Sequence, residues 1–240
     1  MSSLKELNDK VFENFNKSYF FNYLYKNNFS ILELIGSHKC NQMCKYCYFK
    51  NHGDKLFDIE DEETIIKNLH IVMKWFKKNN YRPPTIGIFG GEFFSSERWE
   101  EFLKTVISYF GDVQIEIPTN ATIIFDDSKL EKFLQIKRKH PNISVSASID
   151  GIYMEENRPI IDGNVRDENY YDKFFKILKN DNWGIHPMVY SNKIEKWKDN
   201  FLWFINRMNE YGIDRRALYL LEVRNEEWSS SQIQEFYKFI

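Results

Sequence analysis

The chain has 240 residues, of which 42% are hydrophobic and 28% are charged, and its formal net charge at pH 7 is −2. This composition is typical of an ordinary globular protein, and the small net charge gives no general electrostatic reason to bind nucleic acid or a membrane. The sequence has no apolar run as long as a transmembrane helix, and the first thirty residues lack the apolar core of a signal peptide. We therefore expect a cytoplasmic protein with neither nucleic acid nor membrane as a partner.

The predicted elements alternate along the chain. Residues 1–28 carry apolar side chains at spacings of three and four, which predicts a helical N-terminal extension before a main domain at 29–240. Strands are predicted at 29–35, 85–89, 113–117, 143–149, 185–190 and 217–223. Helices are predicted at 58–79, 96–110, 127–140, 170–179, 197–211 and 230–240. Six strand–helix units in alternation predict a parallel sheet joined by right-handed crossovers.

Several predicted strands alternate polar and apolar side chains, although parallel strands covered on both faces are usually apolar throughout. Ser144, Ser146 and Ser148 share one face of their strand, and Gln114 and Glu116 share one face of the strand before it. Each stripe alone would indicate a strand that faces solvent. Together they indicate an α/β fold of the partial (β/α)6 barrel type, open on one side, with a wet interior that holds a polar ligand.

All three cysteines, Cys40, Cys44 and Cys47, lie within eight residues with the spacing C-x3-C-x2-C, directly after the first predicted strand. Three thiolates on one loop can point at one centre, and soft sulfur ligands select iron–sulfur clusters or zinc. On a four-iron cluster, three protein ligands leave one iron open for a substrate or cofactor. The alternative from another class is a zinc-stabilised binding module with His38 or His52 as the fourth ligand, although zinc sites favour two separated pairs of ligands.

Glycine and polar residues follow the next three predicted strands, at the edge where α/β folds bind their ligands. These residues are Gly90, Gly91 and Glu92 after the second strand, Asn120 after the third, and Ser148 and Asp150 at the end of the fourth. The glycines would allow a small molecule to approach the backbone, and the carboxylate could accept from an ammonium group. The amide and the serine–aspartate pair supply the donors and acceptors that vicinal hydroxyls need. Turn formation is the alternative explanation for these residues.

The cysteine spacing, with the aromatic residue Tyr46 before the last cysteine, resembles the signature of the radical S-adenosylmethionine (radical SAM) enzymes. The resemblance implies that Cys40, Cys44 and Cys47 hold a [4Fe-4S] cluster whose open iron is chelated by the amino and carboxylate groups of S-adenosylmethionine (SAM). One electron from the cluster then cleaves SAM into methionine and a 5′-deoxyadenosyl radical, which removes a hydrogen atom from the substrate. The family shares a six-unit partial barrel.

The resemblance extends to the residues after the strands. The tripeptide at 90–92 is similar to the family's GGE motif, which contacts the methionine amino group of SAM. Asn120 resembles a position at which the family places a polar group near SAM, and Ser148 and Asp150 resemble positions close to its ribose. These residues and Tyr46 are therefore expected to bind the cofactor.

The sequence at 148–151, followed by Asn157 and Arg158, looks most like the branch that includes anaerobic sulfatase maturases and peptide-modifying maturases. That likeness implies a peptide or protein substrate and a flavodoxin- or ferredoxin-type electron donor. This branch usually continues into a domain with auxiliary clusters, for which the chain has no further cysteines, so we expect a fragment or a shorter relative. The alternatives are a glycyl-radical-enzyme activase and a small-molecule radical SAM enzyme. Arg158 and Arg166 could meet a carboxylate or phosphate, but they are expected on the solvated surface, and His186 is expected towards the barrel interior.

Overall fold

The computed structural model describes residues 31–47, 61–191, 194–218, 221–222 and 228–239. The helix predicted at 1–28 lies outside these residues. Among the helices that are described, none combines the length and the hydrophobicity needed to cross a bilayer.

Strands and helices alternate along the described chain, and their bounds are as follows. The strands are β1 Leu32–Ser37, β2 Thr85–Gly90, β3 Gln114–Thr119, β4 Ile143–Ala147, β5 Gly184–Ile185, β6 Met188–Val189 and β7 Leu221–Glu222. The helices are α1 Glu62–Lys78, α2 Trp99–Phe110, α3 Asp127–Lys139, α4 Glu168–Asp181, α5 Ile194–Tyr211 and α6 Ser230–Phe239. Short 3-10 turns occupy Phe93–Ser95, Thr122–Phe125, Glu155–Asn157 and Arg215–Ala217.

Five of the strands form one parallel sheet in the order of the chain, β1-β2-β3-β4-β5, and β6 pairs with β7 in a second parallel sheet. Because each strand pairs with the next one in sequence, every right-handed crossover places its helix on the same face of the sheet. A sheet covered in this way curls towards a barrel, whereas a doubly wound sheet reverses direction and carries helices on both faces. The predicted α/β fold of the partial-barrel type is confirmed.

The single strand predicted at 185–190 is wrong, because the chain forms β5 and β6 there and the two belong to different sheets. Pro187 lies between them and has no N–H to donate to a ladder. The next N–H, of Met188, donates to the carboxylate of Asp150 at 2.9 Å and not to a neighbouring strand. The strand predicted at 217–223 is also shorter than expected, since the turn at Arg215–Ala217 occupies its beginning and β7 covers Leu221–Glu222.

The two faces of the central strands differ as the alternation predicts. In β3, Ile115 and Ile117 are buried while Gln114 and Glu116 are exposed, and β4 repeats the pattern. The buried side chains pack against the helices in one continuous core. The opposite face borders a cavity of about 550 Å³, whose polar lining includes Glu116, Ser144, Ser146 and His186. The barrel interior is therefore polar along this part of the sheet.

Candidate functional site

The three cysteines lie in the loop that follows β1, residues 38–47, here called the cysteine loop. All three are present as thiols and are partly buried. A turn joins two of them, since the backbone N–H of Cys47 donates to the carbonyl oxygen of Cys44 at 3.2 Å. Burial raises the pKa of Cys40 to about 11, and the charges of Glu92, Cys44 and Cys47 contribute to the increase. The other two thiols of the loop are therefore near enough to Cys40 to affect its pKa.

The end of β2 approaches the cysteine loop through two glycines. The backbone N–H of Gly91 donates to the carbonyl oxygen of Ser37 at 2.8 Å, and that of Glu92 donates to Lys39 at 2.7 Å. A Cβ on Gly91 would collide with the carbonyl oxygen of Lys39. One on Gly90, whose φ is 130°, would collide with the carbonyl oxygen of Ser37. Gly91 therefore admits the backbone of the cysteine loop, and Gly90 admits that of the last residue of β1, at a distance that a side chain would prevent.

The carboxylate of Glu92 is buried and faces β3. It accepts hydrogen bonds from the hydroxyl of Thr119 at 2.7 Å, from the backbone N–H of Asn120 at 2.6 Å and from that of Phe94 at 3.2 Å. Burial raises the pKa of Glu92, and these three donors oppose the increase. The side chain predicted to accept from an ammonium group is thus engaged inside the protein, and the backbone of 90–92 is what borders the cysteine loop.

Asn120 connects the end of β3 to the cysteine loop through side chains. Its Nδ2 donates to Oδ1 of Asn41 at 2.8 Å, and Nδ2 of Asn41 donates to the hydroxyl of Thr122 at 3.0 Å. The same hydroxyl donates to Oδ1 of Asn120 at 2.7 Å, which closes a small network. Sequence reasoning missed Asn41, whose position directly after Cys40 is the signal that could have indicated it.

The chain after β4 returns to the cysteine loop and pairs with it in a short antiparallel ladder. The backbone bonds run from Lys45 N to Asn157 O at 2.9 Å, from Met43 N to Pro159 O at 2.9 Å and from Ile161 N to Asn41 O at 2.8 Å, and Gln42 forms an antiparallel bridge with Ile160. This register was not predicted. The ends of β2 and β3 and the segment 157–161 therefore hold the cysteine loop from three sides.

Asp150 and Arg158 form a buried ion pair next to Tyr46, and these three residues are here called the Arg158 site. Nε of Arg158 donates to Oδ1 of Asp150 at 2.8 Å, and the hydroxyl of Tyr46 donates to the other carboxylate oxygen. The guanidinium carbon lies 5.1 Å from the centre of the Tyr46 ring. Arg158 is 8% exposed and Asp150 is 0% exposed. The expectation that Arg158 lies on the solvated surface is wrong, because a carboxylate and an aromatic ring hold it inside.

A second buried arginine has similar neighbours, which are here called the Arg166 site. Nη1 of Arg166 donates to Glu155 at 2.6 Å, and Nη2 donates to the carbonyl oxygen of Asn120 at 2.9 Å. Its guanidinium carbon lies 5.6 Å from the ring of Tyr170, and the hydroxyl of Tyr171 donates to Glu155. Arg166 was also expected on the surface, and that expectation is wrong for the same physical reason.

Ser148 and His186 lie on the polar side of β4 and β5. The backbone N–H of Ser148 donates to Thr119 at 2.7 Å, and its side chain is partly exposed. The backbone N–H of His186 donates to Ala147 at 2.7 Å, and its ring borders the cavity, as expected. Burial lowers the pKa of His186, and the positive charge of Arg158 lowers it further. The positive charge of Arg158 therefore affects the protonation of a side chain in the barrel interior.

The donor set of the cysteine loop fits an iron–sulfur cluster. Three thiols come from one loop whose backbone is fixed, and a buried cation lies beside them. Within the described ranges, no three His, Cys, Asp or Glu side chains, the three cysteines included, are placed to hold a metal ion, so the fit rests on the chemistry of the donor set and not on its geometry. His52, a ligand of the zinc alternative, lies outside those ranges.

Comparisons with known proteins identify the family and the fold of the chain. A family model described as the Radical SAM superfamily matches residues 34–223. The chain resembles the structure of histidine-tagged anSMEcpe with bound AdoMet, with 18% identity and a TM-score of 0.59, over 87% of this chain and 55% of that one. It also resembles Streptococcus suis SuiB bound to precursor peptide SuiA, with 16% identity and a TM-score of 0.61, over 91% of this chain and 47% of that one.

The chain spans about half the length of these two solved structures. At such identities the likeness shows a shared fold. No curated protein matches the chain.

Proposed function

Because the chain belongs to the radical SAM superfamily, as its match over residues 34–223 shows, we propose that Cys40, Cys44 and Cys47 hold a [4Fe-4S] cluster at which SAM is cleaved reductively. The chain is an enzyme of the radical SAM class. The observation that carries the proposal is a loop with three partly buried thiols, fixed by backbone hydrogen bonds on several sides. When bound, the cluster supplies the electron that breaks the sulfonium bond of SAM, and the protein supplies orientation and exclusion of competing reactions.

We assign two roles to the predicted cofactor-binding residues. Gly90 and Gly91 would contact SAM through their backbone and Ser148 through its partly exposed hydroxyl, because these groups lie at the carboxyl ends of β2 and β4. The other predicted residues are engaged with the protein and would act by holding the strand ends and the cysteine loop in place. They are Tyr46, Glu92, Asn120 and Asp150.

We propose a peptide or protein as the substrate. The fold likeness to SuiB, whose structure is described as bound to a precursor peptide, supports this class. The reduction needs a donor of low potential, for which a cytoplasmic flavodoxin or ferredoxin is the partner we propose.

Anaerobic reconstitution with iron and sulfide tests the proposal. We expect the wild type to bind iron and sulfide at the stoichiometry of a [4Fe-4S] cluster and to form 5′-deoxyadenosine and methionine from SAM under dithionite. Replacement of Cys40, Cys44 or Cys47 by Ala removes one ligand, and each variant is expected to lose the cluster and the cleavage. Met43→Ala is the matched control, because Met43 lies in the same loop with an exposed side chain and is expected to retain both.

Two results would contradict the proposal. Stoichiometric zinc with no iron in the wild type would identify a zinc-stabilised module. A cluster that persists after replacement of any one of the three cysteines would show that its ligands lie elsewhere.

A further inference from the structure

Arg158 lies directly opposite Cys44 in the antiparallel ladder. The residues on either side of Arg158, at 157 and 159, accept hydrogen bonds from the backbone N–H groups at 45 and 43, which flank Cys44. In this register the bridge between Gln42 and Ile160 lies two residues further along, on the same face of the ladder. Directly opposed residues of an antiparallel pair have Cβ atoms about 4.5 to 5.5 Å apart. Cys44 and Arg158 are therefore cross-strand neighbours whose side chains share one face.

The guanidinium of Arg158 keeps its positive charge in this position. Burial lowers the pKa of Arg158, but the charges of Asp150, Tyr46 and Cys44 together raise it above its ordinary value. Among the described residues, the hydrogen bond to Asp150 uses Nε and leaves Nη1 and Nη2 without one. The carboxylate of Asp150 is itself bonded by the N–H of Met188 and by the hydroxyl of Tyr46. The Nη1 and Nη2 end of the Arg158 side chain is therefore not covered by the carboxylate of Asp150.

A positive charge at this place changes the energy of cluster reduction. A [4Fe-4S] cluster in the 2+ state with three cysteine thiolates carries a net charge of about −1, and one added electron makes it about −2. The electron comes from the donor, no proton moves, and Arg158 stays charged on both sides of the step. Because the reduced form is the more negative one, a buried cation beside a ligating sulfur stabilises it more than the oxidised form.

We propose that Arg158 is a positioning residue that places a fixed positive charge beside Cys44 and so raises the reduction potential of the cluster. The inference rests on the proposed function, since it needs the cluster on the three cysteines. It goes beyond that function by assigning redox tuning to a side chain that neither ligates iron nor lies in the cysteine loop.

The test is a redox titration of the reconstituted protein, followed by electron paramagnetic resonance of the reduced cluster. Arg158→Gln removes the charge and retains an N–H donor for Asp150. We expect it to weaken the reduction equilibrium about tenfold, which is a potential about 59 mV lower for one electron. Arg158→Lys keeps the charge and is expected to stay near the wild-type potential.

A second variant is expected to shift the reduction potential of the cluster in the opposite direction. Asp150→Asn keeps an oxygen that can accept from Nε of Arg158 and from the N–H of Met188, both of which bond the same carboxylate oxygen. It removes the negative charge, so the potential is expected to rise. A purely structural role would not move the two variants in opposite directions.

Arg166→Gln is the matched control. Arg166 is also buried and paired with a carboxylate over a tyrosine ring, but the charges that shift its pKa come from Tyr170, Glu155 and Tyr171 and not from a cysteine. We expect this variant to lose stability and to keep the wild-type potential.

Each outcome decides between the two proposals. A wild type without a cluster overturns the proposed function. If the wild type holds a cluster and Arg158→Gln has the same potential, the role of Arg158 is overturned while the proposed function stands. If Arg158→Gln does not fold, Asp150→Asn decides, and an unchanged or lower potential in that variant overturns the inference.

Discussion

The Arg158 site and the Arg166 site contain nearly the same groups but act on different parts of the protein. In each, a buried arginine pairs with a carboxylate that also accepts a tyrosine hydroxyl, and the guanidinium lies over a tyrosine ring. Arg158 lies opposite Cys44, whereas Arg166 donates to the backbone at the end of β3. The same set of an arginine, a carboxylate and a tyrosine therefore lies beside the cysteine loop in one site and stabilises the end of a sheet strand in the other. The difference depends on what the guanidinium faces.

The two carboxylates also differ in exposure, which predicts the largest difference between the sites. The side chain of Asp150 is 0% exposed and that of Glu155 is 20% exposed. Asp150→Ala leaves a buried guanidinium without its counter-ion, and we expect the free energy of unfolding to fall by about 3 to 5 kcal/mol. For Glu155→Ala we expect a loss of roughly 1 to 3 kcal/mol, because Arg166 keeps its bond to the backbone.

Urea denaturation of the apo protein measures both losses. Equal losses in the two variants would contradict the distinction between the sites.

The next prediction concerns Glu92, whose carboxylate is close enough to Arg166 for the charge of the arginine to lower its pKa. In either orientation of its amide, Glu92→Gln places the N–H₂ group against a backbone N–H that now donates to the carboxylate, that of Asn120 or that of Phe94. We expect the free energy of unfolding to fall by about 1 to 3 kcal/mol, the usual cost of an unsatisfied buried group. The comparable change on the exposed Glu116 is the control and is expected to stay within about 0.5 kcal/mol of the wild type.

The smallest predicted effect is on the titration of His186. Burial and the charge of Arg158 lower its pKa, so the unfolded chain binds the proton more tightly than the folded one. The stability linked to this group is therefore present above the ordinary pKa of about 6.5 and is lost as the pH falls through the lowered folded-state value. Arg158→Gln removes one cause of the shift and is expected to raise the pKa of His186, measured by NMR in the apo protein. Arg166→Gln should leave it unchanged, and an equal rise in both variants would refute the comparison.

The fold was predictable because its signals are local in the sequence, and the proposal of three cysteine ligands rests on a signal that is equally local. Alternating strand and helix patterns indicated the parallel sheet, and the spacing of three cysteines indicated a single centre. The alternation of Ser144 and Ser146 with apolar neighbours indicated the polar barrel face, which is present. These signals need no knowledge of which distant residues meet.

The remainder depends on pairing between distant segments. The ladder between 41–45 and 157–161 has no periodic pattern, since one side is an irregular loop and the other follows a 3-10 turn. The burial of Arg158 follows from that ladder and from Asp150, and it cannot be recognised from a residue type that is usually exposed. The split between β5 and β6 also depends on Asp150, which takes the N–H of Met188 away from the sheet.

The register of that ladder has a consequence for the order of assembly. Gln42 meets Ile160, more than one hundred residues further along the chain, so the cysteines are synthesised long before the segment that shapes their loop. Contacts this distant in sequence form slowly, because a large part of the chain must be ordered before the pairing of the two segments becomes favourable. We therefore expect iron loading to be a late event in biogenesis, and on refolding, iron uptake should lag behind the recovery of tryptophan fluorescence.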